Sequence, residues 1–186
     1  HVTRKEFETF DTMGSRQLGS HFGPDVITSG MMKGQEEGVR KVKAYLNIKN
    51  PLRIPDIEDF SASRVLRQAQ KQGVFTAQEA DEIAGYLKIS GSDRVANTIL
   101  INELEDKGFD GLVYLNRREV AMHGGGSPYD WVRKYRPDLS GARPEPHIQS
   151  PLARFMDEVS DEWWYEHIPS DDSYVAFRPE QIKVVK

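Results

Sequence analysis

Several groupings in this sequence have the residue types for chemistry, and their spacing decides among them. His123-Gly-Gly-Gly126 has the make-up of a backbone oxyanion hole, but hydrolytic use of one needs a G-x-S-x-G nucleophile elbow, and none occurs. The glycines are therefore read as the turn before a helix starting at Ser127-Pro128. His123, His147 and His167 lie 24 and 20 residues apart, without the i, i+4 or short-loop spacing of metal ligands, so no metal site is expected. The chain has no cysteine, which excludes thiolate zinc, a cysteine nucleophile and a disulfide framework. Neither G-x-x-x-x-G-K-[ST] nor G-x-G-x-x-G is present, so the common phosphate-cradling loops are missing.

The elements that must position any site are well punctuated. From Val42 the chain alternates, with Val42, Ala44, Leu46 and Ile48 on one face, which predicts a half-buried strand stopped by Asn50-Pro51. Three helices follow. Ser61 opens the first, with a staple from Phe60 to Val65 and a stop at Gly73. Thr76-Ala-Gln-Glu79 is a capping box for the second, whose Ala80, Ile83, Ala84 and Leu87 recur at helical spacing. Ser90-Gly-Ser-Asp93 opens the third, with Val95, Ile99, Leu100 and Leu104 expected inward and Gly108 as its stop. Gly111-Leu-Val-Tyr-Leu115 is a continuous apolar run and is read as a buried central strand; Ser173–Phe177 and Gln181–Val185 are read as closing strands around a Pro179 turn. Strands, then helices, then strands argue for an α+β fold, as one domain over 1–186 with a helical insert at about 117–170.

Charge and hydropathy narrow the partners. With 25 Lys+Arg against 29 Asp+Glu the net charge is −4, so nucleic acid exerts no global pull on the chain. No apolar run approaches the roughly 18 residues of a membrane span, and no signal peptide is visible, so a cytoplasmic setting in the producing or target cell is expected. The chain starts at His1 rather than Met, which reads as a processed or excised piece whose first strand largely precedes His1.

Four segments remain unexplained by these patterns: His1-Val-Thr3, Gly19-Ser-His-Phe22, Asn50-Pro-Leu52, and Gly108-Phe-Asp-Gly-Leu-Val-Tyr114 paired with Asp172-Ser-Tyr-Val-Ala-Phe-Arg-Pro-Glu-Gln-Ile-Lys183. In that order they resemble the ADP-ribosyltransferase superfamily, above all the diphtheria-toxin and poly(ADP-ribose) polymerase branch and its phage- and mobile-element-associated domains, some of them toxins. The resemblance covers residues 1–55, 108–116 and 171–186, roughly half the chain. It implies a split antiparallel β-sheet core, NAD as the bound dinucleotide, and release of nicotinamide on transfer of ADP-ribose to a macromolecular acceptor. It implies that His1 and Thr3 hold NAD with the backbone at Val2, where the family usually has Gly. It also implies that His21 and Phe22 line the nicotinamide pocket, with the flat imidazole of His21 where a stacking Tyr is usual.

The largest departure is Ser173, which falls where the family has a Glu. Breaking the glycosidic bond to nicotinamide builds oxocarbenium character on the ribose, and a nearby carboxylate stabilises that charge. Ser173 carries no charge, so Asp171, Asp172 or Glu119 is expected to supply the carboxylate, or else binding and strain act alone. A catalytically inactive NAD- or partner-binding relative and an RNA 2′-phosphotransferase-like enzyme are the other readings. The acceptor is left open between protein and nucleic acid, with protein slightly preferred on charge. The insert holds all three tryptophans. Phe155, Met156, Val159 and Trp163 are spaced to dock a helix, while Trp164 and Tyr165 fall off that stripe and are expected at the surface.

Overall fold

The structure is a computed structural model that describes residues 1–3, 9–13, 16–24, 39–57, 59–117, 119–120, 128–138, 151–168 and 171–185. The sequence features at His123, Gly124–Gly126, Ser127, His147 and Ser150 lie outside these residues. In chain order the elements are β1 (Val2–Thr3), β2 (Ser20–Phe22), β3 (Arg40–Lys41), β4 (Ala44–Leu46), β5 (Pro51–Arg53), α1 (Ala62–Lys71), α2 (Ala77–Ile89), α3 (Asp93–Asp106) and β6 (Gly111–Leu115). They continue as α4 (Pro128–Tyr135), α5 (Pro151–Glu158), α6 (Asp161–His167), β7 (Asp172–Ala176), a 3₁₀ turn (Pro179–Gln181) and β8 (Ile182–Val184). The fold is α+β, as expected.

The central sheet has the order β2-β7-β6-β5, and two ribbons, β1-β3 and β4-β8, flank it in sequence. The antiparallel expectation holds for β2-β7, β6-β7 and both ribbons. The β5-β6 pair is parallel, because the three helices between them return the chain to the end from which it started. The alternating stretch expected as one strand is shared between the ribbons: Arg40 and Lys41 pair with β1, and Ala44 to Leu46 pair with β8. Its facing was legible nonetheless, since Val42, Ala44, Leu46 and Ile48 all pack on the cluster of Phe10, Phe22 and Ala176.

The helical block follows its caps. The Thr76 hydroxyl accepts from the Glu79 amide at 3.2 Å, while the Thr76 amide donates to Glu79 Oε2 at 2.8 Å. Ser92 caps α3 by accepting from the Val95 amide. Two inward assignments are corrected. Val95 is exposed in the first turn of α3, and Ala84 is exposed beside a groove that α2 forms with Leu66, Arg67 and Gln70 of α1. Buried Asn97 takes part of the inner face instead, donating from Nδ2 to the Gln17 carbonyl. The main core joins Val65, Leu66, Ile83, Leu100, Ile101 and Leu104 to Leu52, Leu112 and Val175 of the sheet.

Residues of the insert make their own core around Phe155, Met156, Trp164 and Ile168. Trp164 is fully buried, against the expectation of exposure, whereas Tyr165 is 45% exposed. A single helical phase cannot run from Phe155 to Trp163, because α5 ends at Glu158 and Ser160 starts α6 by capping the Trp163 amide. That restart rotates Trp164 inward. Arg117 ties the two helices together, donating to the carbonyls of Met156 and Val159 and to Asp161, with its guanidinium over the Trp164 ring.

Candidate active site

Strand alternation sorts the expected site residues onto two faces of the sheet. Register pairs His21 with Val175 and Tyr114 with Ser173, so these four share the face covered by the helical block. The His21 ring meets Phe60 and Tyr114 there. Phe22 pairs with Tyr174 on the opposite face, where its ring lies 5.2 Å from Phe10 and 5.5 Å from His1. Phe22 is buried, and its immediate contacts are these aromatic supports of His1.

His1 is anchored at the edge of the sheet. Its carbonyl accepts from the Val42 amide at 2.8 Å, and its Nδ1 lies 2.9 Å from the His21 carbonyl. A carbonyl only accepts, so Nδ1 carries the proton of this bond. Val2 and Thr3 are half-buried and pair with Lys41 and Arg40. The two histidines are thus coupled through the backbone of β2, one ring on each side.

On the helical-block face a hydrogen-bonded chain runs from Glu119 to His21. Asn116, buried just after β6, donates one Nδ2 hydrogen to Glu119 Oε2 and the other to Ser173 Oγ at 3.0 Å. Its Oδ1 accepts from the Glu119 amide at 3.1 Å. Donating to Glu119 and Ser173 from Nδ2 and accepting at Oδ1 leaves the Asn116 amide one orientation. With its lone pair engaged by Asn116, the Ser173 hydroxyl hydrogen-bonds to Tyr114. The Tyr114 hydroxyl lies 3.5 Å from His21 Nδ1, at the outer limit of a hydrogen bond. Burial raises the Tyr114 phenol well above its usual pKa, and the charges of Glu119 and Asp56 add to the rise, while Ser173 opposes it.

Burial also holds His21 neutral: it lowers the imidazole pKa to about 4, with the backbone at Leu18 opposing in part. Nδ1 faces the tyrosine hydroxyl, and Nε2 is buried and has no hydrogen-bond partner among the described residues. A buried ring nitrogen without a partner is costly, and it marks a place where a ligand polar group would be welcome.

Ser173 and Asp172 separate. Ser173 is buried with its hydroxyl inside the chain just described, 3.3 Å from where a side chain on Gly23 would begin. Asp172, one residue earlier, points to the other face and forms a two-pronged ion pair with Arg53, while the Tyr165 hydroxyl donates to it at 2.5 Å. Burial works against the Asp172 carboxylate, but Arg53 and Tyr165 outweigh it and hold its pKa below the ordinary value. Tyr165 answers in the other direction, pushed up to about 12 by burial and by its bond to Asp172. Asp171 is exposed at the strand entrance.

Two motif segments turn out to brace the sheet. Asp110 accepts from the amides of Lys49 and Asn50 at 2.7 and 2.8 Å, and Asn50 Nδ2 donates to the Gly108 carbonyl. A side chain at Gly111 would meet Ile48 and the Val175 carbonyl at 2.9 Å, so glycine is needed for that close approach. Sequence reading missed Tyr114, Asn116, Arg53 and Tyr165 as site residues. Tyr114 was hidden in an apolar run, and the other three carry no local signal. No group of three or more metal-ligating side chains occurs among the described residues, and no helix among them is long and apolar enough to cross a membrane.

A family model described as ART-PolyVal, ADP-Ribosyltransferase in polyvalent proteins, matches residues 1–186. No curated protein and no solved structure matches the chain.

Proposed function

Because the chain belongs to the ADP-ribosyltransferase family of polyvalent proteins, we propose that it uses NAD to transfer ADP-ribose to a macromolecular acceptor, releasing nicotinamide. The observation that carries this reading is the meeting of His1 and His21 across β2, with the buried chain Tyr114–Ser173–Asn116–Glu119 behind His21. A dinucleotide fits these groups. The His1 ring stands at the edge held by the His21 carbonyl, and the buried Nε2 of His21, without a hydrogen-bond partner among the described residues, offers a polar contact at the nicotinamide end. In this reading His1, Val2 and Thr3 hold the dinucleotide along β1, Phe22 supports His1, and His21 lines the nicotinamide pocket. Ser173 acts by positioning Tyr114 and Asn116, and Asp172 by holding Tyr165 and its helix to the sheet. The H-V-T and G-S-H-F segments support placement beside the diphtheria-toxin and poly(ADP-ribose) polymerase branch.

Protein is the preferred acceptor over nucleic acid, since the net charge of −4 would repel a polyanion. The test is incubation with labelled NAD and host lysate, with and without nuclease, following free nicotinamide as well as label. Loss of transfer in His1→Ala and His21→Ala is expected, and transfer unchanged in both would overturn the site. The uncharged, enclosed Ser173 favours one second reading, an NAD-binding relative that does not turn over, which predicts NAD affinity without nicotinamide release.

A further inference from the structure

The outer face of the β4-β8 ribbon takes no part in the candidate site. Ala44, Leu46 and Ile182 pack inward on the cluster of Phe10, Phe22 and Ala176, so strand alternation turns Lys43, Tyr45 and Lys183 outward. Register sets Tyr45 directly opposite Lys183, and the Val185 amide donates to the Lys43 carbonyl at 2.9 Å on the next outward pair. Side chains so placed stand about 5 Å apart across the ribbon and about 7 Å apart along it. Tyr45 is 71% exposed and has no hydrogen bond or ring contact among the described residues. Lys43 and Lys183 are exposed and meet no acid among those residues, whereas Arg16, Arg53, Lys107, Arg117 and Arg178 each pair with a carboxylate. The sequence also keeps acids out of these strands, since none occurs from Val39 to Pro55 or from Gln181 to Lys186.

We propose that this face binds single-stranded nucleic acid, with Tyr45 as the stacking platform for a base and Lys43 and Lys183 as phosphate contacts. A nucleotide carries a flat π face and an anion together, and an exposed tyrosine between two unpaired lysines complements both. A duplex keeps its base faces inside the stack, out of reach of Tyr45. An acidic polypeptide would meet the lysines but leave the ring unused, and a lipid surface needs a broader apolar face than Tyr45 and Val185 supply. The net charge of −4 does not oppose this, because charges are screened beyond about 10 Å at 0.1 M salt and a bound strand meets the acid-free face. The inference does not rest on the transferase reading, and it concerns docking rather than the group that accepts ADP-ribose. Lys43 follows Val42, whose amide donates to the His1 carbonyl at 2.8 Å, so a docked strand would lie next to the edge that carries His1.

The test follows fluorescence anisotropy of an end-labelled oligothymidylate of about 12 nucleotides, within the usual span of a single-strand site, across a salt series with the whole chain. Tyr45→Ala should weaken binding on the order of tenfold, while Tyr45→Phe, which keeps the ring, stays within about twofold of wild type. Lys43→Gln combined with Lys183→Gln should flatten the slope of log K against log salt by about 1.4, and Lys71→Gln at the end of α1 should change neither slope nor affinity. These side chains are exposed, so urea midpoints should match wild type; should Tyr45→Ala unfold, the lysine pair still decides through the slope. Tyr45→Ala that weakens the oligonucleotide but not a polyglutamate peptide of equal charge supports the stacking role. Absence of binding by wild type at low salt overturns the proposal, as does a response to neither Tyr45→Ala nor the lysine pair. Equal affinity for a duplex of the same length overturns it too. Equal affinity for polyglutamate, unaffected by Tyr45→Ala, overturns it in favour of an acidic protein.

Discussion

His21 couples the proposed chemistry to folding, and its titration tests the burial argument directly. The imidazole pKa is lowered from 6.5 to about 4, chiefly by burial. Between those values the unfolded chain binds a proton that the folded chain refuses, so stability rises with pH across this window. His21's contribution is fully present above pH 6.5 and is lost progressively as pH falls toward 4. The span of the shift corresponds to roughly 3 kcal/mol, a large share of the 5–15 kcal/mol of a typical domain. Urea unfolding of wild type and His21→Gln at several values between pH 7 and 4 isolates the effect, because the other titrating groups cancel in the difference. Wild type should lose about 3 kcal/mol more than the variant across the window. The same pKa is readable from the imidazole resonances of wild type alone, which keeps the test usable if the variant fails to fold. An imidazole that titrates near 6.5, or equal pH slopes for both proteins, would refute the account of His21 as a buried neutral ring.

Three further outcomes follow from single contacts. Gly19 has a positive φ of 67° and a side chain there would lie 2.5 Å from the Ala176 carbonyl, so Gly19→Ala should cost at least about 2 kcal/mol in urea unfolding and loosen β2 from β7. Trp164→Ala empties the centre of the insert core and should cost about 3–5 kcal/mol. Hydrogen exchange should place that loss in α5 and α6 before the central sheet. Thr76→Ala removes a capping hydroxyl from α2 and should lower stability by about 1 kcal/mol, seen as a shifted urea midpoint at unchanged slope.

Elements whose specification is local were legible. The caps at Thr76 and Ser92, the glycine stop after α3 and the buried run of β6 each depend on a few neighbouring residues, and each lies where its residues predict. The errors came where a local pattern was continued past a break. The helical stripe from Phe155 to Trp163 does not continue through Ser160, because that serine restarts the helix and turns Trp164 into the core. The alternating stretch predicts one strand, yet Arg40 and Lys41 pair with β1 and Ala44 to Leu46 with β8, partners at opposite ends of the sequence.

The candidate site divides in the same way. By itself the sequence determined the α+β class, the helical block and the motif order that resembles the family, because these reside in spacing along the chain. Through that resemblance it also singled out His1 with Thr3, and His21 with Phe22, as site candidates. Which residues stand behind them was decided only by strand register. Pairing Tyr114 with Ser173 and His21 with Val175 put these side chains on one face, and the same alternation turned Asp172 away toward Arg53. Asn116 meets Ser173 because β6 ends there, bringing an amide against a serine 57 residues farther along. Sequence neighbours on a strand point apart while distant residues meet across it, so which side chains surround His21 is a property of the assembled sheet.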